Sequence, residues 1–231
     1  MEEHETVRIG FGDGRGAAGV AIEGAGWLVA HGGSVAAHEG FELEDAAGTA
    51  CTVRGAGGCE LTLEPLGPPA DLGAAARMWL CRARGSAAGH PFEGLGTIMR
   101  SRGADGAVLE RAVIATFGPA SAVALAARRP RRARGHGEER LDAAILRGDP
   151  LAPVLVADPR LSSTYDGQGR LVRCGIELWE TEESEYALRI GGRAHAHGEL
   201  RHGDGARTRV SFVEFRDGEA PGAGRYEITE R

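Results

Sequence analysis

The sequence predicts an all-β fold of antiparallel strands in two units, with at most one or two short helices. Three observations carry that expectation. Asp-Gly occurs five times, at residues 13–14, 105–106, 166–167, 204–205 and 217–218, and this dipeptide suits tight hairpins because its residues tolerate positive φ. The runs around these pairs are short, β-like and regularly spaced, as in sandwiches and barrels rather than βαβ units. Several of them alternate apolar and polar residues with period 2.

Taken in order, Thr6–Phe11 and Gly19–Ile22 flank the first Asp-Gly, and Thr97–Ser101 and Ala107–Phe117 flank the second. Leu161–Tyr165 and Leu171–Trp179 flank the third, and Thr208–Phe215 lies between the last two. Within Leu171–Trp179, Val172, Cys174, Ile176 and Leu178 form one apolar row, while Leu171, Arg173, Gly175, Glu177 and Trp179 share the other face. Thr208–Phe215 is partly apolar on both faces, which suits a central strand. Three Ala-rich segments have helical character: Leu72–Leu80 after Asp71, Ala120–Arg129 between two prolines, and Glu138–Arg147 ending at Gly148. The last fits a helix best. Gly94-Leu-Gly96-Thr-Ile-Met-Arg100 resembles Gly222-Ala-Gly224-Arg-Tyr-Glu-Ile228, and a duplication would give units at 1–118 and 119–231. Gly14-Arg-Gly16-Ala-Ala-Gly19 matches a dinucleotide fingerprint, but the segment after Gly19 is strand-like rather than helical, so that reading fails.

Composition narrows the class. The chain has 231 residues and a net charge of −6, with no Lys, no Asn and a single Gln, Gln168. Ala, Gly and Arg dominate, the signature of a GC-rich coding sequence, so Gly and Arg abundance alone argues no function. The acidic start lacks the apolar stretch of a secretory signal. The longest apolar segment, Ala112–Ala127, is short of the ~18–20 residues of a membrane span. Cys51, Cys59, Cys81 and Cys174 show no Cys-x-x-Cys spacing and read as reduced thiols of a cytoplasmic protein.

Asp158-Pro-Arg-Leu-Ser-Ser-Thr-Tyr165-Asp-Gly, Gly175-Ile-Glu-Leu-Trp179 and Gly222-x-Gly224-Arg-Tyr226-Glu-Ile are similar to stretches of the lipocalin-like superfamily that includes AttH, hydroxyneurosporene synthase and tocopherol cyclase. The similarity is clearest over residues 150–231. It implies two lipocalin-like β units and a cavity for a small apolar, often isoprenoid, molecule. It transfers no catalytic residue.

Among constellations, His195, His197 and Glu199 would share one face of a strand, and two imidazoles with a carboxylate can hold Zn or non-haem Fe. Flanking Arg193 and Arg201 favour the alternative, a solvated polar face. His136-Gly-Glu138-Glu139 could do acid–base work if burial raised one pKa, or could be a loop. Arg128-Arg129-Pro-Arg131-Arg132-Ala-Arg134 could grip an anion, or be a solvated connector. The acidic balance and the absence of interleaved aromatics exclude nucleic acid. Trp27, Trp179 and Tyr165 are candidate ligand contacts, with Arg173 beside them, or else the large core filler of an Ala-rich protein, and Glu177 is the candidate proton donor. The expected function is binding of a small apolar or isoprenoid-like molecule in a β cavity, without a cofactor. The alternatives are a cofactor-independent cyclase, hydratase or isomerase using Glu177, and a metal enzyme using His195, His197 and Glu199.

Overall fold

The computed structural model describes residues 5–12, 17–46, 50–73, 76–102, 107–118, 120–133, 136–218 and 220–231. The first antiparallel sheet holds β1 (Glu5–Gly12), β2 (Ala17–Ile22), β3 (Gly26–His31), β4 (Ser34–His38), β5 (Phe41–Ala46), β6 (Ala50–Gly55), β7 (Cys59–Pro65), β8 (Ala70–Leu72), β9 (Ala76–Ala87) and β10 (His90–Arg102). The second holds β11 (Ala107–Phe117), β12 (Ser121–Pro130), β13 (Arg140–Arg147), β14 (Ala152–Leu155), β15 (Asp158–Tyr165), β16 (Leu171–Trp179), β17 (Leu188–Arg201), β18 (Arg207–Asp217) and β19 (Ala220–Glu230).

The strand orders are β4-β3-β2-β1-β10-β9-β7-β6-β5, with β8 on β9, and β14-β13-β12-β11-β19-β18-β17-β16-β15. Apart from β8 they match position for position, so β10 and β19, which carry the paired Gly-x-Gly segments, hold equivalent places. Each sheet curls around its own apolar core. The two then pack by their outer faces, through an Ala-rich cluster on one side and a cluster around Leu28, Val210 and Phe212 on the other. The chain passes between sheets after Arg102 and before Ala107, whereas Gly118 lies in the β11–β12 hairpin.

The described parts of all three segments of helical character lie mostly in strands. Leu72 ends β8 and residues 76–80 open β9, while the other two are β12 and β13. The reason is visible in β12. Ala122, Ala124 and Ala126 face the other sheet, and Val123, Leu125 and Ala127 face the second core. A strand covered on both sides is apolar throughout, and alanine lets two sheets approach closely. Among the described residues helical geometry is confined to the 3-10 turn His136–Glu138 and to Gly73.

β1 with β2, β15 with β16, β17 with β18 and β18 with β19 pair as the Asp-Gly positions predict, whereas β10 and β11, on either side of residues 105–106, belong to different sheets and do not pair. Residues 13–14 and 105–106 lie outside the described residues. Asp166-Gly167 sits in a five-residue loop in which Asp166 Oδ1 accepts hydrogen bonds from the Gln168 and Arg170 amides, at 2.8 and 2.9 Å. Positive φ falls there on Gly169, at 74°. Asp204-Gly205 likewise lies in a five-residue loop, with Gly205 at 88°. Asp217 pairs with Ala220, so the two-residue turn begins one position later, at Gly218. A bulge also interrupts the apolar row of β16. Tyr165 pairs with Leu171 and Thr164 with Arg173, so Leu171 is buried and Val172 is 40% exposed. Val210 and Phe212 face the other sheet while Val213 and Phe215 face the second core, as a central strand requires. The four cysteines are buried and unpaired, and burial pushes the thiols up to about 11 at Cys51 and Cys59 and about 12 at Cys81 and Cys174.

Candidate functional site

The residues singled out from sequence do not converge. Glu177 lies on the outer face of β16, paired with Arg189 at 3.2 Å, and Arg173 is exposed there. Trp179 shares that face, with the Arg160 guanidinium 4.4 Å from its ring centroid. Trp27 is buried in the first unit and stacks on His38 at 4.7 Å. Tyr165 packs against the second core. The metal set is broken by a bulge between Ala194 and Ala196, which takes His195 out of the alternating row. His197 Nδ1 lies 3.0 Å from Ser211 Oγ, and Glu199 pairs with Arg201 and Arg207 at 3.5 and 3.7 Å. Among the described residues no three His, Cys, Asp or Glu side chains group as metal ligands.

Three other places combine polarity with shape. Between the sheets runs a buried ionic seam. Arg225 Nε pairs with Glu227 Oε1 at 2.5 Å and its Nη1 donates to Thr97 Oγ1 at 3.0 Å. Arg8 Nη1 donates to Ser101 Oγ at 3.0 Å, and Arg8 lies 3.7 Å from both Glu227 and Glu110. Arg8 and Arg225 thus have Glu227 and Glu110 as counter-charges, and Arg231 approaches Glu110 at 3.6 Å from the more exposed end. The flanking cavities are about 20 Å³ each, room for one water and no more. An open cleft of about 600 Å³ lies beside Phe41, Leu43 and His202, but its wall is mostly turn backbone, its charged groups Glu39 and Arg201 are exposed, and the half-buried Glu23 already accepts from the Val7 amide at 3.1 Å. Neither has the mark of a ligand site, an apolar wall with a few convergent buried polar groups.

The inside of the second unit has that mark. Alternation along β11, β19 and β15 turns Arg111, Tyr226, Ser163 and Tyr165 toward the core lined by Val113, Leu125, Ile176 and Phe215. Arg111 Nη1 donates to the Tyr226 hydroxyl at 2.9 Å, and the Ser163 and Tyr165 hydroxyls each lie 2.9 Å from the same oxygen. Glu139, immediately before β13, sends a fully buried carboxylate to Arg111 Nη2. Arg129, near the end of β12, reaches Glu139 Oε1 at 2.7 Å through Nη2 and 3.1 Å through Nε. Arg111 Nε is buried without a hydrogen-bond partner among the described residues. Burial drives the Tyr226 phenol well above its ordinary pKa against the lowering influence of Arg111. Its hydroxyl therefore stays protonated and can donate as well as accept.

The duplication supplies an internal control. Gly96 pairs with Phe11 and Ile98 with Ile9, while Gly224 pairs with Ala115 and Tyr226 with Val113. Aligned on the Gly-x-Gly segments, Ile98 and Val7 of the first unit stand where Tyr226 and Arg111 stand in the second. One architecture carries an apolar pair in one copy and this polar pair in the other, so the fold does not require the polar pair.

Of this cluster, the sequence singled out Tyr165 as a candidate ligand contact and drew attention to Arg129 and Glu139 only as members of an Arg-rich run and a His-Gly-Glu-Glu motif. It missed Arg111, Tyr226 and Ser163. Tyr226 and Ser163 lie inside the segments that carry the family resemblance; Arg111 had no signal, being one arginine in an apolar run.

No family model and no curated protein matches the chain. Solved structures do. A crystal structure from Nitrosomonas europaea, provisionally named AttH, superposes with a TM-score of 0.67 at 11% identity, over 98% of this chain and 93% of that one. CghA superposes with a TM-score of 0.63 at 17% identity, over 98% and 87%. CghA with Sch210972 gives 0.59 at 16%, over 98% and 87%. The chain thus has the paired lipocalin-like fold of the AttH type, and at these identities the likeness speaks for the fold alone.

Proposed function

We propose that the chain binds a small amphipathic molecule in the β cavity of its second unit. The apolar body lies against Val113, Ile176 and Phe215, and the polar end meets Arg111, Tyr226 and Tyr165. The observation that carries this is the asymmetry between the units: a buried guanidinium and phenol stand where the equivalent strands of the first unit hold valine and isoleucine. Burying such groups costs free energy unless it is compensated, and a polar anchor inside an apolar cavity is the usual return.

A titration with the fluorescent apolar probe 1-anilinonaphthalene-8-sulfonate tests it. Tyr226→Phe weakens binding about tenfold, the worth of one hydrogen bond near a charged group, whereas Ile98→Val changes it less than about twofold. Equal effects of the two substitutions count against the second unit.

A second reading is catalytic. Tyr226 keeps its proton because burial raises its pKa, and Arg111 beside it would stabilise an oxyanion formed at that place. This suits a cofactor-independent isomerisation, hydration or cyclisation of the bound molecule. Glu177, on the outer face, is not placed for the proton-donor role. CghA, which shares this fold, has also been solved with Sch210972.

A further inference from the structure

We propose that the ligand of the second unit is a carboxylate with an apolar body, and that Glu139 occupies its carboxylate position when it is absent. The inference rests on the cavity reading above and names the chemistry of its occupant. Two guanidinium groups, Arg111 and Arg129, converge on the single Glu139 carboxylate, and Tyr226 and Ser163 complete the cluster around Arg111. Planar guanidinium forks match a carboxylate in shape as well as charge. Arg111 is 4% exposed and its Nε has no hydrogen-bond partner among the described residues, so a neutral head group displacing Glu139 would leave a buried cation uncompensated. A carboxylate displacing it conserves the charge of the cluster.

Glu139 also differs in origin from the rest. Arg111, Arg129, Ser163, Tyr165 and Tyr226 belong to wall strands, whereas Glu139 lies between the 3-10 turn and β13. It can leave without dismantling a sheet pairing, because β13 begins its pairing with β12 at Arg140.

Isothermal titration of the full chain with dodecanoate and with dodecan-1-ol at neutral pH tests the inference. Dodecanoate binds at least about tenfold more tightly, and Glu139→Gln tightens dodecanoate about tenfold while leaving dodecanol within about twofold. Equal affinity for acid and alcohol overturns the carboxylate inference and leaves the cavity standing. Binding of neither overturns both. A second variant covers loss of stability: if Glu139→Ala lowers the unfolding midpoint, 100 mM sodium acetate, on the order of a weak carboxylate site's affinity, restores part of it relative to equal sodium chloride. Equal midpoints in the two salts also overturn the inference.

Discussion

Tyr226 illustrates how much one side chain can report. Its hydroxyl is within 2.9 Å of Arg111 Nη1, Ser163 Oγ and Tyr165 OH, so Tyr226→Phe removes the oxygen that joins them. Thermal unfolding should show a loss of roughly 1–3 kcal/mol, the cost of leaving buried polar groups unsatisfied. An unchanged midpoint would mean the cluster is already solvated. Gly10 makes a different point. A Cβ there would lie 1.8 Å from Arg225 Nη1, so Gly10→Ala has to displace the central cation of the seam. It should destabilise by a few kcal/mol, while Gly33→Ala, in an open turn, should cost only the roughly 1–2 kcal/mol that an alanine Cβ meets at positive φ. What sequence can reveal at this scale depends on the neighbours. Tyr165 was legible because tyrosine is scarce in this chain; Arg111 was not, because partnership with Tyr226, 115 residues away, leaves no local trace.

Strands gave away more of themselves than single residues did. β11 and β16 have the bounds that alternation and turn residues predict. The same rule failed across bulges. An extra residue at Val172 and another beside His195 exchange the faces of their strands, and nothing in composition marks either. It failed again for β12 and β13, where alanines needed for sheet-to-sheet contact imitate helix propensity. The loop at the end of β17 adds a pH dependence. Burial, reinforced by Arg8, lowers the pKa of His202, whose Nε2 lies 2.7 Å from Thr208 Oγ1. His197 is lowered by burial and then by Arg170. Groups depressed in the folded state are protonated first in the unfolded chain, so folding loses stability as pH falls below the ordinary histidine value of ~6.5. The unfolding midpoint should drop between about pH 7 and pH 5. The His197→Gln, His202→Gln variant should drop less over that interval, and an equal drop would assign the effect to other groups.

On the scale of the whole molecule, two copies of one topology are joined by outer faces that a single lipocalin-like unit would show to water. The apolar clusters on either side of the seam, and Arg8–Glu227 across it, make the sheets interdependent. Glu227→Ala leaves Arg225 and Arg8 buried without their shared anion and should cost roughly 3–5 kcal/mol. Denaturant unfolding should then stay a single transition by tryptophan fluorescence and by circular dichroism; separated transitions would mean independent units. The duplication was legible in the Gly-x-Gly pair, because β10 and β19 need glycine for close packing at matching places. A Cβ on Gly96 would meet Leu63 and Ala83, and one on Gly224 the Ile114 carbonyl. The difference between the two interiors, Arg111 and Tyr226 in one and Val7 and Ile98 in the other, was not legible, since it lies in which residues face inward.

That difference is tested most directly by photo-cross-linking the full chain with a twelve-carbon aliphatic probe bearing a diazirine, then mapping the labelled peptides. A cavity in the second unit predicts label on β11, β16 and β18, around Val113, Ile176 and Phe215, and less of it in Tyr226→Phe. Label confined to the first sheet, or to the cleft beside Phe41 and His202, would contradict it.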